Sequence, residues 1–258
     1  MRLIRWLTLV LILISAGAYA ETIPNAQVGL VLIHGKWGSP PGPDAQLFSS
    51  NGFEVESPWM PWSKTGYYDK PYAQALAEVH EIVQKMRSSG IKRVIVGGLS
   101  FGANAALAYA TQYDDADGIM LFSPGHMPER FYQSGGSRQS VAAARELVAE
   151  GKGDSRFSFM DPNQGKTESR STTALNYLSY FEPEGLGNMP LNATRLKKPI
   201  PVLCVMSQAE WRLGREYIFS KLPPNPKSVY LEPRASHTDA PRAVENEAMA
   251  FVQSIAAD

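Results

Sequence analysis

Short apolar runs alternate with segments of helical period along most of this 258-residue chain. The runs at 28–33 (VGLVLI), 93–96 (RVIV), 118–122 (GIMLF) and 201–205 (PVLCV) are nearly continuous, the pattern of strands buried on both faces. Shorter strand-like pieces lie at 53–55 and 229–231. Between the runs, Ala73, Leu76, Val79, Ile82, Val83 and Met86 recur at three- and four-residue spacing, as do Val244, Ala248, Phe251, Val252 and Ile255. These are amphipathic helices, the last one introduced by Asp239 as a capping acid and by Pro241 in its first turn. Strand and helix in alternation predict an α/β fold: a mostly parallel central sheet with helices on both faces.

Arg2 and Arg5 precede an apolar run at 6–14, and Ala18-Tyr19-Ala20 supplies small residues of the kind a signal peptidase reads, so residues 1–20 are expected to be a secretory signal peptide. The apolar stretch is shorter than the roughly 20 residues needed to span a bilayer, and no stable membrane anchor is expected after cleavage. The mature domain is then 21–258, exported, and periplasmic or secreted if the source is bacterial. Twenty-five Lys+Arg balance 25 Asp+Glu, and without a basic excess nothing favours nucleic acid. Cys204 is the only cysteine and excludes an internal disulfide. It lies inside an apolar run, as a small core residue would. No metal-ligand cluster and no glycine-rich phosphate fingerprint is present, so neither metal nor cofactor is expected. The stretch 126–198 breaks the rhythm. It offers one clear helix at 141–150, a polar stretch, and an aromatic patch at Tyr177, Tyr180 and Phe181 positioned to bury against the sheet edge. A featureless loop of that length is improbable in a compact domain, which predicts an inserted cap or lid.

The chemistry concentrates in Gly98-Leu99-Ser100-Phe101-Gly102, which follows the apolar run 94–96 and precedes the alanine-rich helical segment 103–113. Between a buried strand and a helix, G-x-S-x-G is a sharp turn that pushes the serine hydroxyl out at its tip, and the glycines are needed where a Cβ would clash. Ser100 is the candidate nucleophile. With this motif, and with His34-Gly35 directly after Leu32-Ile33, the chain resembles the α/β-hydrolase family over about residues 28–255, the inserted region apart. The resemblance implies an oxyanion hole made by the backbone N–H groups of Lys36 and Phe101, with the Lys36 side chain free to point to solvent. It also implies a histidine base. Of His34, His80, His126 and His237, the last stands between the strand-like 229–231 and the terminal helix, where the family keeps its catalytic histidine. His34 reads as a buried turn residue, His80 as an exposed position on a helix, and His126 as the start of the insertion.

The family's acid follows the strand after the cap, which points to Glu210 in Ser207-Gln208-Ala209-Glu210. Ser207 stands where glycine is usual, and glutamate is longer than aspartate. Glu129 is the alternative acid. Asp239 is better explained as a helix cap. Aromatic residues at Trp59, Trp62, Tyr67 and Tyr68 follow a strand, and Trp37 and Trp211 adjoin the oxyanion loop and the acid, so Trp37 and Trp211 are expected to line the substrate site. The expected partner is a small-molecule ester or thioester, cleaved through an acyl-enzyme. The alternatives are an acyltransferase using the same intermediate, and a catalytically silent binding protein on the same scaffold.

Overall fold

The computed structural model describes residues 24–42 and 44–257. The expected signal peptide at 1–20 lies outside the described residues. Six strands form one sheet: β1 (Val28–Ile33), β2 (Glu54–Glu56), β3 (Arg93–Leu99), β4 (Gly118–Phe122), β7 (Val202–Val205) and β8 (Val229–Leu231), in the order β2-β1-β3-β4-β7-β8. Every pairing in it is parallel. The strands β5 (Arg156–Asn163) and β6 (Lys166–Thr173) form a separate antiparallel hairpin.

Side chains alternate across a strand, so each apolar run feeds two cores. Val31, Ile33, Val96, Leu121 and Cys204 face one side, packed with α2 (Tyr72–Ser88) and α3 (Phe101–Gln112). Leu30, Leu32, Ile95, Phe122 and Val205 face the other, covered by α1 (Ala45–Ser49) and α9 (Glu245–Ala256). This is why the four central runs carry hardly any polar residue. The buried stripe of α2 starts at Tyr72 instead of Ala73, which is exposed. The terminal helix is broken in two, α8 (Ala240–Ala243) and α9, because Val244 between them leaves the helical region. Asp239 occupies the N-cap position of α8 but makes no side-chain cap bond. Its carboxylate accepts from the Ser236 hydroxyl at 2.5 Å.

Between β4 and β7 the chain forms α4 (Pro128–Gln133), α5 (Arg138–Ala149), the hairpin, α6 (Ala174–Phe181) and α7 (Met189–Arg195). The polar stretch of the sequence reading is thus an ordered hairpin. Gln164 and Gly165 both have positive φ, 47° and 77°, the geometry of a two-residue type I′ turn. The aromatic patch packs on the hairpin and on α2, with Tyr177 stacked 4.5 Å from Phe159 of β5. Tyr180 of α6 lies 5.0 Å from Tyr72 of α2 and 4.8 Å from Tyr68, ring centre to ring centre. Among the described residues no helix is long and apolar enough to cross a membrane.

One contact sets the position of the central turn. A Cβ at Gly102 would stand 1.8 Å from the Ile33 carbonyl oxygen, and a Cβ at Gly98 would stand 2.2 Å from the same atom. Two glycines, one on each side of Ser100, therefore let the turn seat against the end of β1. Because both obstacles are backbone, neither can move away cheaply. Gly102→Ala is expected to destabilise the fold by about 2 kcal/mol or more, the usual scale of overpacking a tight site. The shift of the urea unfolding midpoint at unchanged slope measures it.

Candidate active site

All the loops that carry the predicted site residues leave the same edge of the parallel sheet, at the carboxyl ends of the strands. Ser100 stands between β3 and α3 with φ 60° and ψ −115°, a conformation that costs a non-glycine residue about 1–3 kcal/mol. Four backbone hydrogen bonds hold it there. Its N–H donates to Phe122 O at 2.9 Å, and its carbonyl accepts from Ala103, Asn104 and Gly125. The hydroxyl lies against Gly125, where a Cβ would approach Oγ to 2.6 Å. The glycines of the motif thus clear the Ile33 carbonyl, while Gly125 and Gly35 clear the serine itself.

His237 follows β8. Its Nδ1–H donates to Glu210 Oε1 at 2.8 Å, which leaves Nε2 as the acceptor nitrogen. Nε2 is buried and has no hydrogen-bond partner among the described residues. Glu210 is only 7% exposed. Its second oxygen accepts a short hydrogen bond from Ser207 Oγ, and its N–H donates to Ser207 O at 2.9 Å. A further bond from Gln208 N–H to Ala235 O, 3.2 Å, ties the acid's loop to the histidine's loop. Serine in place of the usual glycine at 207 thus gives the carboxylate a second donor. Glu129 stands elsewhere. It accepts from the Tyr217 hydroxyl at 2.5 Å, and burial pushes its carboxyl above the usual range.

Ser100 and His237 line one cavity of about 240 Å³, together with His34, Gly35, Lys36 and Leu99. No hydrogen bond joins Ser100 Oγ to His237 Nε2. The serine side chain is turned against Gly125, and catalytic hydrogen bonds in unliganded sites are often unmade. Asn163 and Gln164 at the hairpin tip line the same cavity. Sequence reasoning missed both. The alternation of Phe157, Phe159 and Asp161 followed by Asn163-Gln164-Gly165 was the available signal for a strand and tight turn, and Pro162 obscured it.

The backbone N–H groups of Lys36 and Phe101 make no hydrogen bond among the described residues. In the loop around Lys36, Trp37 N–H donates to Trp62 O at 2.8 Å and Gly38 N–H to Gly35 O at 3.1 Å, so the Lys36 amide is left over. The Lys36 side chain does not point to solvent. It is 2% exposed, and Nζ donates to Asp161 Oδ1 at 2.6 Å and to Pro162 O at 2.9 Å. Desolvation lowers its pKa, while the Asp161 carboxylate opposes that effect.

Trp37 and Trp211 do not line the cavity beside Ser100, contrary to expectation. The Trp37 indole N–H is committed to Asp161 Oδ2 at 2.7 Å, and the exposed Trp211 donates to Met206 O at 3.2 Å. Trp62 lies inside, stacked 4.2 Å from Phe101 and donating to His34 O at 2.9 Å. Trp59 is 61% exposed.

The other histidines each make a hydrogen bond or ion pair, although His126 Nδ1 is buried without a partner among the described residues. His34 Nδ1–H donates to Gly35 O at 2.8 Å, and its Nε2 accepts from Met60 N–H at 3.2 Å. His80 pairs with Asp115 at 2.8 Å and stacks on Tyr113. His126 donates to Tyr180 O at 2.8 Å and stacks on Phe101. Burial, reinforced by the Lys36 charge, holds its pKa well below the ordinary value. Cys204 is buried in β7, and desolvation pushes its thiol up to about 12, so it is no competing nucleophile. Among the described residues no group of three or more His, Cys, Asp or Glu side chains could hold a metal ion.

No protein-family model and no curated protein matches the sequence. Solved structures do match. A structure of the metagenome-derived lipolytic enzymes LipS and LipT aligns at TM-score 0.62 and 16% identity, over 91% of this chain and all of that one. A monoacylglycerol lipase of Paleococcus ferrophilus aligns at 0.61 and 18%, over 88% and 94% of the two chains. The α/β hydrolase GrgF from Penicillium aligns at 0.60 and 15%, over 91% and 93%. The chain has the α/β-hydrolase fold. The parallel six-stranded sheet with its helices agrees with that fold.

Proposed function

We propose that this chain is an exported serine hydrolase that cleaves a small carboxylic ester or thioester through an acyl-enzyme. The observation that carries the reading is His237 Nε2, a buried, unpartnered acceptor in the cavity of Ser100, while Nδ1 is held by Glu210. A serine hydroxyl is a weak nucleophile near neutral pH and needs such a base. Rotation about the Ser100 Cα–Cβ bond re-aims the hydroxyl from Gly125 toward the imidazole.

In the reaction, Ser100 Oγ attacks the substrate carbonyl carbon as His237 Nε2 takes its proton. The carbonyl π electrons move to oxygen, and the N–H groups of Lys36 and Phe101 stabilise that charge, each contributing about 3 kcal/mol. His237 then returns the proton to the leaving alcohol or thiol, and the C–O or C–S bond breaks. Water, deprotonated by the same nitrogen, releases the acid from Ser100. Glu210 holds the tautomer and stabilises the imidazolium without itself becoming protonated.

A cavity of about 240 Å³ suits a short acyl group. The segment between β4 and β7, whose hairpin tip borders that cavity, acts as its cap. The lipolytic structural neighbours support ester chemistry, and the leader-like residues 1–20 support export. The unusual turn at 207–210 is the one sequence feature that would suit a silent binding protein, and the Ser207–Glu210 contact gives that turn a use in holding the acid.

Stoichiometric labelling of the 21–258 chain by a fluorophosphonate, abolished in Ser100→Ala, is the expected result. Turnover of p-nitrophenyl esters should peak at short acyl chains. Absence of labelling in the unaltered chain contradicts the reading. For the acid, Glu210→Gln is expected to lower kcat about a thousandfold or more, while Glu129→Gln leaves it within about twofold. The reverse order would move the acid to Glu129.

A further inference from the structure

We propose that Asp161 is a positioning residue for the oxyanion loop, aiming the Lys36 amide at the substrate oxygen through the side chains of Lys36 and Trp37. The inference rests on the serine-hydrolase reading above and adds a residue to it. Asp161 lies on β5, more than 120 positions away in sequence, and is fully buried. Its two oxygens accept from Lys36 Nζ at 2.6 Å, from Trp37 Nε1 at 2.7 Å and from the Tyr68 hydroxyl at 3.0 and 3.1 Å, with Arg170 Nε at 3.8 Å. One carboxylate therefore holds two consecutive side chains of a four-residue turn.

The backbone needs such a hold. Trp37 sits at φ 58°, the left-handed region that a bulky side chain rarely enters, and a turn that strained stays put only where its surroundings over-determine it. The strain falls on the peptide unit next to the Lys36 amide, an N–H that has no hydrogen-bond partner among the described residues. The Lys36 ammonium also lies 5.7 Å from the ring centre of Phe101, whose own amide is the second donor. The side chains of both residues that carry the donors are thereby in contact within the buried core.

A buried ion pair is poor evidence of added stability, because desolvating two charges cancels much of their attraction. An apolar pair of similar volume would fill the space. What the ions add is direction: a hydrogen-bonded carboxylate fixes where Lys36 and Trp37 point to within a few tenths of an ångström, which packing of apolar side chains does not. Displacing a catalytic group by about 1 Å costs on the order of a hundredfold in rate. The carbonyl of Pro162 accepts from Lys36 Nζ as well, and the next two residues, Asn163 and Gln164, border the cavity. The same pair thus sets the hairpin tip and the oxyanion loop against each other.

The test uses the 21–258 chain, Asp161→Asn, and the paired replacement of Lys36→Met with Asp161→Leu. The paired variant leaves no uncompensated buried charge and covers the case in which Asp161→Asn folds poorly. Each is titrated with a fluorophosphonate, so that kcat is expressed per labelled Ser100 and misfolded molecules drop out. KM for a short p-nitrophenyl ester and the affinity of a boronic-acid transition-state analogue are read alongside. The expected result in both variants is a fall in kcat per labelled serine of about tenfold to a hundredfold, a matching loss of boronate affinity, and KM within about threefold. Unchanged kcat per labelled serine in either variant, or a change in KM alone, overturns the proposal while leaving the hydrolase reading intact. An unaltered chain that takes no label overturns the hydrolase reading, and this proposal with it.

Discussion

The Ile33 carbonyl at the end of β1 is wedged between Gly98 and Gly102, and the rest of the site is arranged around that contact. It brings the loop after β1 and the turn after β3 to within van der Waals distance, closer than any two strands could hold loops that bear side chains. Ser100 can then stand at the tip, with Lys36 lining the same cavity. The register of the sheet has already aligned the strand ends, since Ile33 pairs with Gly98 and Leu99 with Phe122. Parallel pairing explains why residues scattered from 34 to 237 converge: every strand delivers its following loop to one edge.

Two buried carboxylates perform different work on this scaffold. Glu210 has a hydroxyl and an imidazole as its donors and leaves His237 Nε2 without a partner among the described residues. Asp161 has a cation, an indole and a phenol as donors and is fully buried. Its acceptor capacity is spent on structure. Around these polar groups lies an aromatic layer, with Phe101 stacked between Trp62 and His126, that excludes water from the floor of the site. Electrostatic interactions with a developing charge are strongest where water is excluded.

The sheet was legible because its strands are buried on both faces and therefore carry unbroken apolar runs. The turn at Ser100 was legible because two glycines flank a serine between a strand and a helix. The pairing of Glu210 with His237 could be anticipated only through resemblance, since nothing in the spacing of two residues 27 apart requires them to meet. The hairpin was not legible: β6 (KTESRSTT) is polar throughout and buries little, so it has no periodic signal. The destination of the Lys36 side chain was hidden with the hairpin's other strand, β5, whose alternation Pro162 obscures. A lysine beside a glycine reads as solvent-facing until its carboxylate partner is in place, and that partner sits on the strand the sequence did not reveal. The misplacement of Trp37 and Trp211 is similar, because adjacency in sequence to a site residue does not fix which way an indole turns.

The central claim is that one hydroxyl, one imidazole nitrogen and two amides converge on a single reacting carbonyl. The crystal structure of the Ser100 phosphonate adduct measures this directly. The account predicts a phosphoryl oxygen within about 3 Å of both the Lys36 and Phe101 nitrogens, with His237 Nε2 at hydrogen-bond distance from the Ser100 oxygen and Nδ1 still on Glu210. An adduct whose phosphoryl oxygen faces solvent or some other donor, or whose imidazole has left Glu210, would contradict it.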